Sequence, residues 1–109
     1  MSTVTLSVAR DYSRTPGPRY RWQGPFSGED FRDLLIEKLR FADKVIIDLD
    51  GTRGYGSSFI DEAFGGLVRI SKKIGWTKPA ILERIDILAK EDLSYRIEAL
   101  QAMNDAIPE

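Results

Sequence analysis

Two aspartates, Asp48 and Asp50, close the apolar run Val45-Ile46-Ile47 and precede Gly51-Thr52. A strand end aims such carboxylates rigidly, so the pair can act together. Asp50-Gly51 is equally good turn chemistry. Seven residues later Ser57 and Ser58 follow Gly54-Tyr55-Gly56 and precede Phe59-Ile60. Hydroxyls at a helix start either cap the helix or sit where free amides favour a phosphate or other anion. A polar stripe, Glu62, Gly65 and Arg69, continues from Ser58 at helical spacing. Adjacent glycines such as Gly65 and Gly66 cost a helix about 1 kcal/mol each relative to alanine. Close approach of another surface would offset that cost, either an element of the same domain or a partner protein. Gly56, Glu62, Gly65, Gly66 and Arg69 are therefore the candidate partner contacts.

A third group is Arg10, Arg14, Arg19 and Arg21, interleaved with Tyr12, Tyr20 and Trp22. Cations mixed with aromatics can pair phosphates and stack on bases. The preferred reading is the solvated face of a hairpin with Tyr20 and Trp22 in the core. Arg19 could instead reach an acidic side chain or an anion near the Ser57 helix.

Composition removes much other chemistry. The 109 residues include no cysteine and no histidine. Disulfides, thiolate zinc sites, cysteine nucleophiles and Ser-His triads are excluded, as is the usual base near neutral pH. A net charge of −1 gives no global field to gather nucleic acid or an anionic membrane. At 42% hydrophobic and 30% charged the chain reads as one globular domain spanning residues 1–109. No run is long enough to span a bilayer and no signal pattern opens the chain, so the expected location is the cytoplasm. No cofactor is expected, and the sequence leaves the oligomeric state open.

These residues must be held by a small set of elements. Thr3 to Ala9 alternates, with Val4, Leu6 and Val8 on one side, and predicts a strand. Arg19 to Gln23 alternates again and predicts a second strand pairing with the first. Ser27 is an N-cap with Glu29 and Asp30 in the first turn, opening a helix to about Phe41. Lys44 to Leu49 reads as a central strand buried on both faces. A helix then runs from Ser57 or Ser58 to about Ile74, with Phe59, Ile60, Ala63, Phe64, Leu67, Ile70 and Ile74 on its apolar face. Gly75 and Pro79 stop it. Ala80 to Ile87 is a further strand, and Glu91-Asp92 opens a last helix with Leu93, Ile97, Leu100 and Met103 on one face. The expected order is β-β-α-β-α-β-α: an α/β domain with a mixed, mostly parallel sheet and about three helices.

The segments Ser27-Gly28-Glu29-Asp30-Phe31-Arg32, Val45-Ile46-Ile47-Asp48-Leu49-Asp50-Gly51 and Gly54 to Arg69 resemble the small bacterial STAS-like domains of unknown function. The Pro16-Gly17-Pro18-Arg19 turn fits as well, and the resemblance extends from about Thr15 to Met103. It implies a non-enzymatic regulatory module that binds a protein. In anti-sigma factor antagonists of the wider superfamily, a serine at the corresponding helix start is phosphorylated by an ATP-dependent kinase that is also the anti-sigma factor. By that resemblance Ser58 and Ser57 are phosphorylation candidates. The family motif Asp-Ser-Ser-Gly-Leu is here Gly56-Ser57-Ser58-Phe59-Ile60, lacking the acid and the Gly-Leu. Asp48-Leu49-Asp50-Gly51-Thr52 also resembles the first motif of haloacid-dehalogenase-type phosphatases. That alternative makes Asp48 the nucleophile, Asp50 the general acid and both ligands of Mg²⁺. Only 59 residues follow Asp50 (109 − 50), too few for that superfamily's later motifs.

Overall fold

The computed structural model describes residues 2–109. Three strands, β1 (Thr3–Ser7), β2 (Lys44–Asp48) and β3 (Ile85–Leu88), form a wholly parallel sheet in the order β1-β2-β3. Val4 lies opposite Val45, which lies opposite Ile85; Leu6, Ile47 and Ile87 align in the same way. This register puts all six apolar side chains on one face, and the helices pack there. The reverse face carries Thr3, Thr5, Lys44, Ile46, Asp86 and Leu88 and is exposed or half-buried, with Lys44 paired to Asp86 at 3.1 Å. The expectation of a β2 buried on both faces is thus corrected: the strand is central, but it alternates.

No strand forms at residues 19–23. Parallel pairing of β1 with β2 replaces the expected hairpin, and α1 (Val8–Asp11) follows β1 directly. The reason lies in α2 (Gly28–Phe41), whose first amides need acceptors. The carbonyls of Pro18 and Arg19 supply them, to Gly28 and Glu29 at 2.8 and 2.9 Å. Ser27 completes the cap by accepting from the Asp30 amide at 3.0 Å. Arg21–Gln23 is a short 3₁₀ turn tied over this end, its Arg21 facing Glu29, Asp30 and Asp33. Trp22 is 80% exposed and Tyr20 is exposed, so neither is the core residue expected.

The helix after the glycine turn is interrupted. It comprises α3 (Ser57–Ile60), a π turn (Asp61–Gly65) and α4 (Gly66–Arg69), followed by a 3₁₀ turn ending at left-handed Gly75. Pro79 does not stop a helix but starts one. It stands in the first turn of α5 (Lys78–Arg84), where a missing N–H costs nothing, and Thr77 caps the turn by accepting from the Ala80 amide at 3.2 Å. The expected strand at 80–87 therefore shrinks to β3. In α6 (Leu93–Asp105) the buried residues are Ala99 and Met103, whereas Leu93 and Ile97 are exposed. The small side chain is turned inward because α6 lies close against the π turn. Phe31, Phe59 and Phe64 fill the centre, with ring centroids 5.9 and 6.3 Å apart around Phe31.

Candidate functional site

The glycine turn between β2 and α3 is built by its own side chains and by the β3–α6 loop. Asp48 accepts from the Asp50 amide at 2.9 Å. Asp50 accepts from the amides of Lys90 and Glu91 at 3.1 and 2.9 Å, and Glu91 in turn accepts from the Gly51 amide at 2.5 Å. Gly51 and Gly54 have φ of 89° and 122°, conformations that favour glycine. Half-buried Tyr55 donates its hydroxyl to the Leu49 carbonyl at 2.7 Å, and desolvation pushes its pKa up. Asp48 and Asp50, the Mg²⁺ ligands of the alternative reading, thus accept from loop amides. Among the described residues no group of three or more acidic side chains gathers around a metal position. Asp48 and Asp50 are braces of the turn.

The brace delivers the chain to α3 with both serines exposed. Gly56 is the N-cap, with extended backbone and no side chain to cap the amides that follow. A β-carbon on Gly56 would meet nothing within 4 Å, so this glycine is not there for space.

Beyond Ile60 the polar stripe turns inward. Glu62 is only 6% exposed and lies under three guanidinium groups: Arg32 at 2.9 Å, Arg19 at 3.6 Å and Arg69 at 3.6 Å. Asp61 accepts from Arg19 at 2.5 Å and from Arg69 at 3.1 Å. Burial works against the charge on Asp61, but these two hydrogen bonds outweigh it and hold the carboxyl below its ordinary range. The same bond to Asp61 raises Arg19. Arg32 also faces Asp33 at 3.0 Å and Glu29 at 3.9 Å, so every guanidinium of the cluster is paired and no positive charge is left over.

The glycines explain how this fits. A β-carbon on Gly66 would stand 2.7 Å from Glu62 Oε2, and one on Gly65 would stand 3.2 Å from the Ala102 carbonyl of α6. The close approach that the glycine pair permits is therefore internal. Gly65, Gly66 and Glu62, expected as partner contacts, are buried within the chain. The π turn widens the helix by one residue at the point where these carboxylates must be reached.

What remains open is a cleft of about 500 Å³ between α3, the π turn and α6. Its lining includes Arg19, Ser57, Asp61, Arg69, Gln101 and Asp105. Of the expected contacts, Arg69 and Ser57 reach it, and Gly56 and Ser58 lie exposed at its α3 end. Arg19 reaches an acidic side chain of this helix, Asp61, as its second reading offered, whereas Asp61 and Arg32 are members of the cluster that local patterning does not single out. Arg19 was within reach of an acid only if its loop folded back, and the signal for that was the set of uncapped α2 amides beside it.

The fold and this geometry agree with one comparison. Residues 27–73 match the family model of a STAS-like domain of unknown function. The STAS-like segment contains α2, β2, the glycine turn, both serines, the π turn and α4, and so most of the cleft's α3 side. It leaves β1, the loop bearing Arg19, β3 and α6 outside, a narrower span than the resemblance drawn from the sequence. No curated protein and no solved structure matches the chain. Among the described residues no helix is long and apolar enough to cross a membrane.

Proposed function

We propose that the chain is a non-enzymatic protein-interaction module, with its docking site at the start of α3 and along the cleft beside α6. The observation that carries this reading is the exposure of Ser57 and Ser58 on an uncapped helix start, above a cleft whose arginines are already paired. The site offers hydroxyls, amides and a wall of Glu98, Gln101 and Asp105. That is the inventory of a recognition surface.

Phosphorylation of Ser58, or of Ser57, would switch it. A phosphate adds about −1.5 to −2 charges beside the α3 amides and the carboxylates of the cleft. Asp61 and Glu62 are each paired to arginines, which lessens their opposition to it. The partner would be a protein, and a kinase using ATP would supply the phosphate.

The test is affinity capture from the source organism with three forms of the full chain: wild type, Ser58→Asp and Gln101→Trp. Gln101 is exposed on α6, so tryptophan there blocks the cleft without disturbing the core. One protein captured by the wild type and lost by both variants supports the reading. Identical capture by all three, with no phosphate on either serine by intact mass, removes it.

A further inference from the structure

The two edges of the parallel sheet are treated differently. On β3 the Ile87 carbonyl accepts from Arg96 Nε of α6 at 2.9 Å, so that edge is covered. On β1 the Ser2 carbonyl accepts from the Lys44 amide at 3.2 Å. Main-chain groups alternate sides along a strand, so those of Thr3, Thr5 and Ser7 point away from β2. Ser7 is occupied, its amide donating to Asp11 at 2.8 Å. Among the described residues, Thr3 and Thr5 have no backbone neighbour on that side.

This edge opens into a groove of about 340 Å³ lined by Val4, Thr5, Leu6, Asp11, Leu34 and Lys38. The groove is polar at its ends and apolar at its centre. Asp11 sits at the end of β1, where it holds Ser7 through one carboxylate oxygen and faces the exposed Arg10 at 3.5 Å through the other. Lys38 belongs to the last turns of α2, which close beside the start of β1: Ala42 donates to the Lys38 carbonyl and Asp43 donates to Ser2. Lys38 has no ion-pair partner among the described residues.

We infer that the β1 edge is where two copies of this chain associate, strand against strand and antiparallel, about a two-fold axis through Val4. In that arrangement Thr3 and Thr5 of each copy exchange main-chain hydrogen bonds with Thr5 and Thr3 of the other. Val4 and Leu34 meet their counterparts across the axis. Antiparallel pairing reverses the groove end for end, so Lys38 of each copy faces Asp11 of the other. A charge at one end and its opposite at the other is complementary to itself only under such a two-fold. Two three-stranded sheets become one of six strands, and the exposed edge disappears. The surface is separate from the α3 cleft, so a dimer would present two docking sites.

The experiment is sedimentation equilibrium of the full chain from micromolar to near-millimolar concentration, with circular dichroism on each variant. Thr5→Pro deletes an outward amide that bonds nothing within the chain. Lys38→Glu sets like charges opposite each other and leaves β1 untouched. A wild-type dimer that is weakened at least about tenfold by each folded variant supports the proposal. If Thr5→Pro fails to fold, Lys38→Glu alone carries the test, with raised salt expected to weaken the wild-type dimer in parallel. A wild type that stays monomeric throughout overturns it, and Lys38 is then the charge that keeps an edge from pairing. A dimer indifferent to the folded variants also overturns it.

Discussion

Arg19 and Asp61, 42 positions apart in the chain, meet at 2.5 Å. The contact fastens the loop between β1 and α2 onto the π turn and sets one wall of the cleft. Arg69 shares the same carboxylate oxygen of Asp61 at 3.1 Å, so a single acid joins three segments.

This pair makes stability depend on acid. Asp61 titrates below its ordinary 3.8 in the folded chain. Its charge therefore favours folding fully above that value, and the contribution is lost as pH falls through the lower folded-state pKa. Urea midpoints of wild type and Asp61→Asn, followed from about pH 5 to about pH 3, should converge as acid is added. Parallel profiles would show that the Arg19 contact carries no such linkage.

Gly28 allows α2 to touch α3. A β-carbon there would stand 2.7 Å from the Phe59 carbonyl, and a backbone atom cannot swing aside. Gly28→Ala should destabilise by about 1–3 kcal/mol in urea unfolding. Gly56→Ser is the counterpart: nothing crowds that position, and serine is the better cap. It should gain a few tenths of a kcal/mol.

Trp22 stands out in solvent on its 3₁₀ turn. Trp22→Ala should shift stability by no more than about 0.5 kcal/mol. A loss of several kcal/mol would mean that the indole is buried in solution, as a hairpin would have required.

Asp50 ties the glycine turn to the β3–α6 loop through two amides. Asp50→Ala should cost about 1–3 kcal/mol. Amide hydrogen exchange at Lys90 and Glu91 should rise with it. Protection unchanged at both amides would show that the brace is not Asp50.

The sequence by itself determined what depends on neighbours in the chain. Ser27 caps α2, because its hydroxyl needs only an amide three residues on. The run at 44–48 is a strand, and the turn from Asp50 to Gly56 hands the chain to a helix at Ser57, because a short β-branched apolar run, glycines in a turn and helix-favouring spacing are local properties. The absence of histidine and cysteine narrowed the chemistry before any fold existed. Tertiary structure decided which surfaces meet. Residues 19–23 alternate like a strand, yet the free amides of α2 were better partners than β1. Thr77 and Pro79 begin a helix where apolar residues suggested a strand. Glu62 and the glycine pair lie on the polar side of a helical wheel, and only the packing of α2, α6 and the Arg19 loop turns that side inward. A carboxylate at such a position is a solvent contact or a buried ion according to whether a guanidinium reaches it, and the arginines at 19 and 32 are placed there by the folded chain.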